Sequence, residues 1–234
     1  MPRTYVTLAC ALALAPLLSA CTAARVQHPA SLAASATVLD VRGISPRRAG
    51  QPVSIGPYTA REVDDGGTFA WAVPLGGADV GRAARRYAFS LQSSDAPTIE
   101  VACVNRAWTA GRGDAQRLSV DLTRLAGPLL DCELRDGDRR GRLTLARTGG
   151  DLEGRLELPE TAPLPVRSTR ALEGTSLPLA SPTGYIVGEP ARSLMLAGVV
   201  DGRQVHLDPT VAAGARPWWA AAGAALLLSD PDIE

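Results

Sequence analysis

The chain runs to 234 residues, in which 24 basic side chains, every one of them arginine, balance 24 acidic ones, and 46% of residues are hydrophobic. Such a balance gives no electrostatic case for nucleic acid or for an anionic membrane surface as partner. The lack of lysine excludes Schiff-base chemistry, lysine bases and a phosphate-loop lysine, and two histidines, His28 and His206, leave little for metal binding or a Ser-His-Asp arrangement.

Residues 1–20 begin with one positive charge, Arg3, continue through an apolar run from Tyr5 to Leu18, and end on the small pair Ser19 and Ala20 before Cys21. That is the layout of a secretory signal, and its apolar run is shorter than the roughly 20 residues of a spanning helix. The stretch LSAC from Leu18 to Cys21 resembles the lipobox of bacterial lipoproteins, over the first 21 residues only. The resemblance implies cleavage before Cys21, a diacylglyceryl (palmitate-type) thioether on its sulfur and an acylated amine. Several acyl chains anchor stably where one does not. Thr22 stands where inner-membrane lipoproteins often carry Asp, so the resemblance implies an outer-membrane anchor facing the periplasm. Residues 21–35, small, polar and aperiodic, are expected to be a flexible tether with His28 solvated.

One domain is expected over residues 36–234. Short apolar or alternating runs separated by Gly, Pro and Asp predict strands at 37–42, 53–58, 68–73, 87–92, 99–104, 117–122, 129–134, 142–146, 152–158, 166–172, 185–187, 194–200 and 204–207. In the best of these, Leu143 and Leu145 alternate with Arg142 and Thr144, as in a sheet with one dry face. Gly149-Gly150-Asp151 and Asp201-Gly202 read as hairpin turns. With Cys10 removed in the signal and Cys21 lipidated, Cys103 and Cys132 remain as an even pair in an oxidising compartment, each in a strand-like stretch, and are expected to be bonded.

The C-terminus breaks the pattern. Asp208-Pro209 and Arg216-Pro217 suit helix starts, and residues 218–228, WWAAAGAALLL, have no polar face. A helix that is apolar all round and too short to span a bilayer belongs inside the protein. The expected fold is mainly β: a single antiparallel barrel or sandwich with the apolar C-terminal helix packed inside or against it, or presented to a partner. Many strands followed by one apolar helix is similar to the tubby-like barrels, which include plant LURP-one-related proteins and scramblases. The similarity covers about residues 37–228 and rests on no residue motif. It implies a helix threading a closed barrel; the phosphoinositide binding of some members finds no basic patch here.

Chemistry is sparse. His206, between Val205 and Leu207, is expected to face solvent. Asp64 and Asp65 before Gly66-Gly67, and Asp114 after Gly111 to Gly113, read as turn residues that could also serve as an acid pair or calcium ligands. Arg47-Arg48, Arg85-Arg86 and Arg139-Arg140 suit solubilising loops or phosphate binding. Trp108, in the Gly-rich stretch 106–113, is the candidate contact residue. No catalytic residue, metal site or cofactor is assigned. The expected role is non-catalytic binding or scaffolding at the envelope, with an envelope protein as partner and the membrane reached through Cys21. The alternatives are a hydrolase using Asp64 and Asp65, and a periplasmic lipid carrier whose acyl chain would need the space the helix fills.

Overall fold

The computed structural model describes residues 24–33, 35–44, 51–75, 78–111, 119–121, 127–200 and 202–231. Cys10, Cys21, Arg47, Arg48 and Asp114 lie outside them. After a one-turn helix α1 (Ala30–Ala33) come β1 (Thr37–Arg42), β2 (Val53–Ile55), β3 (Tyr58–Leu75), β4 (Ala78–Ser93), β5 (Ala96–Gly111), β6 (Ser119–Asp121) and β7 (Leu130–Asp136). There follow β8 (Arg139–Thr148), β9 (Asp151–Glu157), β10 (Leu164–Thr169), β11 (Gly184–Glu189), β12 (Arg192–Gly198), β13 (Gln204–Leu207) and helix α2 (Arg216–Leu228).

All pairings between strands are antiparallel, and β4 bonds to both β3 and β5, so the sheet closes on itself as a barrel of twelve strands with β6 added outside it on β5. Alternation decides which side of each strand faces in. Leu130, Cys132 and Leu134 of β7 and Leu143 and Leu145 of β8 point into the barrel, while Arg140 and Arg142 point out. Gly154 allows β9 to close tightly on β8, since a Cβ there would lie 1.8 Å from the Thr144 carbonyl oxygen.

Helix α2 fills the interior. Every residue from Pro217 to Leu228 is buried, in one cluster with the inward side chains of the strands. The helix runs the length of the barrel, from Trp218 beside Arg139 and Gly141 to a far end where Arg147 donates a 2.7 Å hydrogen bond to the Pro231 carbonyl and Asn105 bonds that of Asp230. Near that far end, the Tyr87 hydroxyl donates to the Ala225 carbonyl at 2.7 Å. The barrel-with-internal-helix form of the expected fold is the one present.

Two regions depart from expectation. Residues 24–33, expected within a loose tether, are strapped along the outer wall. Val26 bridges to Leu172, and Val26 and Leu32 are buried against Ile186 and Leu196 on the outward faces of β11 and β12. β11 is therefore buried on both faces, which explains its unbroken apolar run. His28 packs edge-on against His206 with ring centroids 4.3 Å apart, so neither is the solvated residue expected. His206 does point outward, but the strap covers that face and leaves it 6% exposed.

The second departure is length. β5 stops pairing with β7 at Asn105, whereas β4 and β5 continue to Asp79 and Gly111, and β3 and β4 to Leu75 and Ala78. These strands overrun the barrel by about 20 Å at roughly 3.3 Å per residue. The result is a projecting arm, with β6 on its edge.

Candidate functional site

Because α2 occupies the interior, the surfaces open to a ligand or partner are the outer wall and the arm. Two bulges, between Arg61 and Asp64 and between Asp65 and Thr68, bend β3 where the arm leaves the barrel. Beside that bend the outer faces of β3, β4 and β5 carry small residues, Gly66, Ala88 and Ala102, and leave a groove of about 780 Å³ that extends across β7 to β9 over the backbone of Gly141.

Four carboxylates and three arginines line the groove: Asp64, Asp131, Glu133 and Glu157 against Arg86, Arg140 and Arg142. They interlock as cross-strand neighbours. Arg142 donates two hydrogen bonds of 3.0 Å to Asp131, which also has Arg106 at 3.6 Å, and Glu133 has Arg140 at 3.8 Å. The Arg135 hydrogen bond to Glu133, at 2.7 Å, holds that carboxyl below the usual carboxylate range, and the hydrogen bond to Asp131 raises the Arg142 guanidinium. A general acid needs the opposite shift. The groove suits a partner with charges of both signs, and its acidic excess is unsuited to gripping phosphate.

Asp64 and Asp65 do not form an acid pair. They stand in β3 rather than in a turn, on opposite faces: Asp64 pairs with Ala88 and lines the groove, whereas Asp65 pairs with inward-facing Tyr87 and accepts hydrogen bonds of 2.8 and 2.6 Å from Arg85. The arginine pairs split likewise, Arg85 to Asp65 and Arg86 to the groove, Arg139 to Asp136 and Arg140 to the groove. Cys103 and Cys132 are directly opposed in β5 and β7 with sulfurs 2.06 Å apart, bonded and buried.

Trp108 lies on β5 within the arm, not in a loop. Cross-strand partners share a face, which lines up Trp71, Arg82 and Trp108 in one row across β3, β4 and β5. The two indoles meet edge to face at 5.8 Å, and the Arg82 guanidinium stands 5.1 Å from the Trp108 ring. Along β4 this row continues through Ala84 and Arg86 into the groove. Phe69, Trp71 and Val73 beside it are exposed. Sequence reasoning missed the arm, although large residues alternating with alanine in TFAWAV marked a strand with one apolar face.

No protein-family model, curated protein or solved structure matches the chain. The site rests on its own geometry. Among the described residues no group of three or more His, Cys, Asp or Glu is placed to hold a metal ion, and no helix is long and apolar enough to cross a membrane.

Proposed function

We propose that the protein is a lipid-anchored component of the bacterial envelope, held through Cys21 at the outer membrane on its periplasmic side, and that it acts by binding or scaffolding rather than catalysis. The observation that carries binding at the outer surface is that α2 fills the barrel, so the space an acyl-chain carrier would use is occupied, while Asp64 and Asp65 on opposite faces of β3 weigh against the hydrolase. Charges outside and apolar residues inside are the reverse of an outer-membrane barrel, which supports attachment by lipid rather than by the strands. The buried disulfide supports an oxidising compartment. A closed antiparallel barrel around a C-terminal helix also supports kinship with the tubby-like barrels, a likeness that bears on fold and not on role.

Labelling cells with an alkyne fatty acid tests the anchor. Label on the wild-type chain, none on Cys21→Ser, and precursor accumulation when signal peptidase II is inhibited are expected; an unlabelled wild-type chain in the soluble fraction removes the reading. A photo-crosslinking residue in place of Ala102, on the groove floor, tests binding. A discrete adduct in intact cells is expected, and its absence there removes the groove as the binding face.

A further inference from the structure

Six large hydrophobic side chains are exposed among the described residues, and five of them gather at one end of the barrel. Phe69, Trp71 and Val73 are on the arm. Leu177 and Leu179, 75% and 44% exposed, are in the connection between β10 and β11. Strand direction places that connection at the arm's end: β5 and β10 both run toward it, and Leu179 donates to the carbonyl of Arg170, just beyond the end of β10. Only Val38, on the wall, lies elsewhere.

The N-terminal strap starts at the same end. Glu173 donates to the Arg25 carbonyl at 2.8 Å and Gln27 to that of Ala171 at 3.1 Å, fixing Arg25 beside the apolar connection. Three residues lie between Cys21 and Arg25, and the four steps from one to the other reach at most about 14 Å at 3.3 to 3.6 Å each. From Arg25 the strap leads away along the barrel, reaching β12 at its opposite end through the Ser31 hydroxyl, which accepts from the Ser193 amide.

We infer that the arm end is a membrane-docking face, on which Phe69, Trp71, Val73, Leu177 and Leu179 sit in the interfacial layer of the same bilayer that holds Cys21. This rests on the lipid-anchor reading and goes beyond it, because an anchor alone fixes no orientation. Tryptophan beside arginine suits that layer, where the ring takes the apolar side and the guanidinium reaches the headgroups. The row Trp71, Arg82 and Trp108 is built that way. With 24 basic side chains balanced by 24 acidic ones, docking is driven by apolar contact and is insensitive to salt. It stands the barrel upright with the groove facing sideways into the periplasm.

The acylated protein, reconstituted by its own lipid into phosphatidylethanolamine and phosphatidylglycerol vesicles with brominated acyl chains, gives the test. Trp218 and Trp219 are shielded inside the barrel, so quenching reports Trp71 and Trp108. Quenching that survives molar salt is expected, together with its loss in Trp71→Phe/Trp108→Phe. Unquenched tryptophans overturn the proposal and leave the arm to a protein partner. The unacylated mature chain, Cys21→Ser, is also expected to bind these vesicles, at least about tenfold more weakly once Phe69→Ser and Leu177→Ser are added. Equal binding with and without those substitutions, both chains showing the same thermal transition, overturns the proposal as well. Failure of fatty-acid labelling at Cys21 would instead defeat the anchor alone, since the unacylated chain still reports on docking.

Discussion

Gly223 of α2 faces Val205 of β13 so closely that a Cβ on the glycine would lie 2.9 Å from one valine methyl and 3.2 Å from the other. Two effects of Gly223→Ala oppose each other. Alanine gains about 1 kcal/mol of helix propensity, and overpacking costs typically 1 to 3 kcal/mol. The expected net change is a loss of about 1 kcal/mol in urea denaturation. Val205→Ala opens the contact, so in that background Gly223→Ala is expected to stabilise, and a double-mutant cycle measures the reversal.

Helix α2 is the centre of the core, since its residues 217–228 are all buried. A chain ending at Arg216 is expected to lose cooperative thermal unfolding by calorimetry and to expand in solution. A truncated chain that kept a sharp transition would mean that the strands pack without the helix.

The Cys103–Cys132 bond joins positions 29 residues apart, a loop for which the chain-entropy model gives roughly 3 to 4 kcal/mol. Cys103→Ala/Cys132→Ala is expected to lower stability by about that amount. Both cysteines are at most 2% exposed. Dithiothreitol should therefore reduce the bond no faster than the barrel opens, which thiol trapping over time checks.

Asp208 leads from β13 toward α2, and its carboxylate accepts hydrogen bonds from the Thr210 hydroxyl and, at 2.8 Å, the Thr210 amide. The hydroxyl bond, then the amide bond, lowers the carboxyl from its ordinary value. A carboxyl lowered on folding contributes stability that is present above its unfolded value, about 3.9, and is lost as pH falls through the lower folded value. Thr210→Val is expected to reduce stability at neutral pH and to flatten the part of the decline that lies below about pH 4. Denaturation midpoints from pH 7 to pH 2 measure both.

Legibility varied with how local the determining physics was. β1 and β13 coincide with their expected ranges, because alternation and flanking turns fix a short strand on their own. The burial of α2 was legible from composition, since no face of WWAAAGAALLL can meet water. β3 was read too short because Gly66 and Gly67 signal a break, whereas here they lie in a bulge within one long strand. In the strap, only Val26 and Leu32 carry the docking, too few to show a period. Its effect on His206 was invisible for the same reason. The groove is less legible still: Asp64, Asp131 and Glu157 meet only through register across several strands.

The order of elements has a further consequence for biogenesis. Every strand precedes α2 in the chain, so a ribosome delivers the whole wall before the segment that fills it. Until residue 228 has emerged, the inward faces have nothing to close upon. The wall therefore closes around its core only once α2 has emerged, so the last-made described element is the one on which all the earlier strands wait.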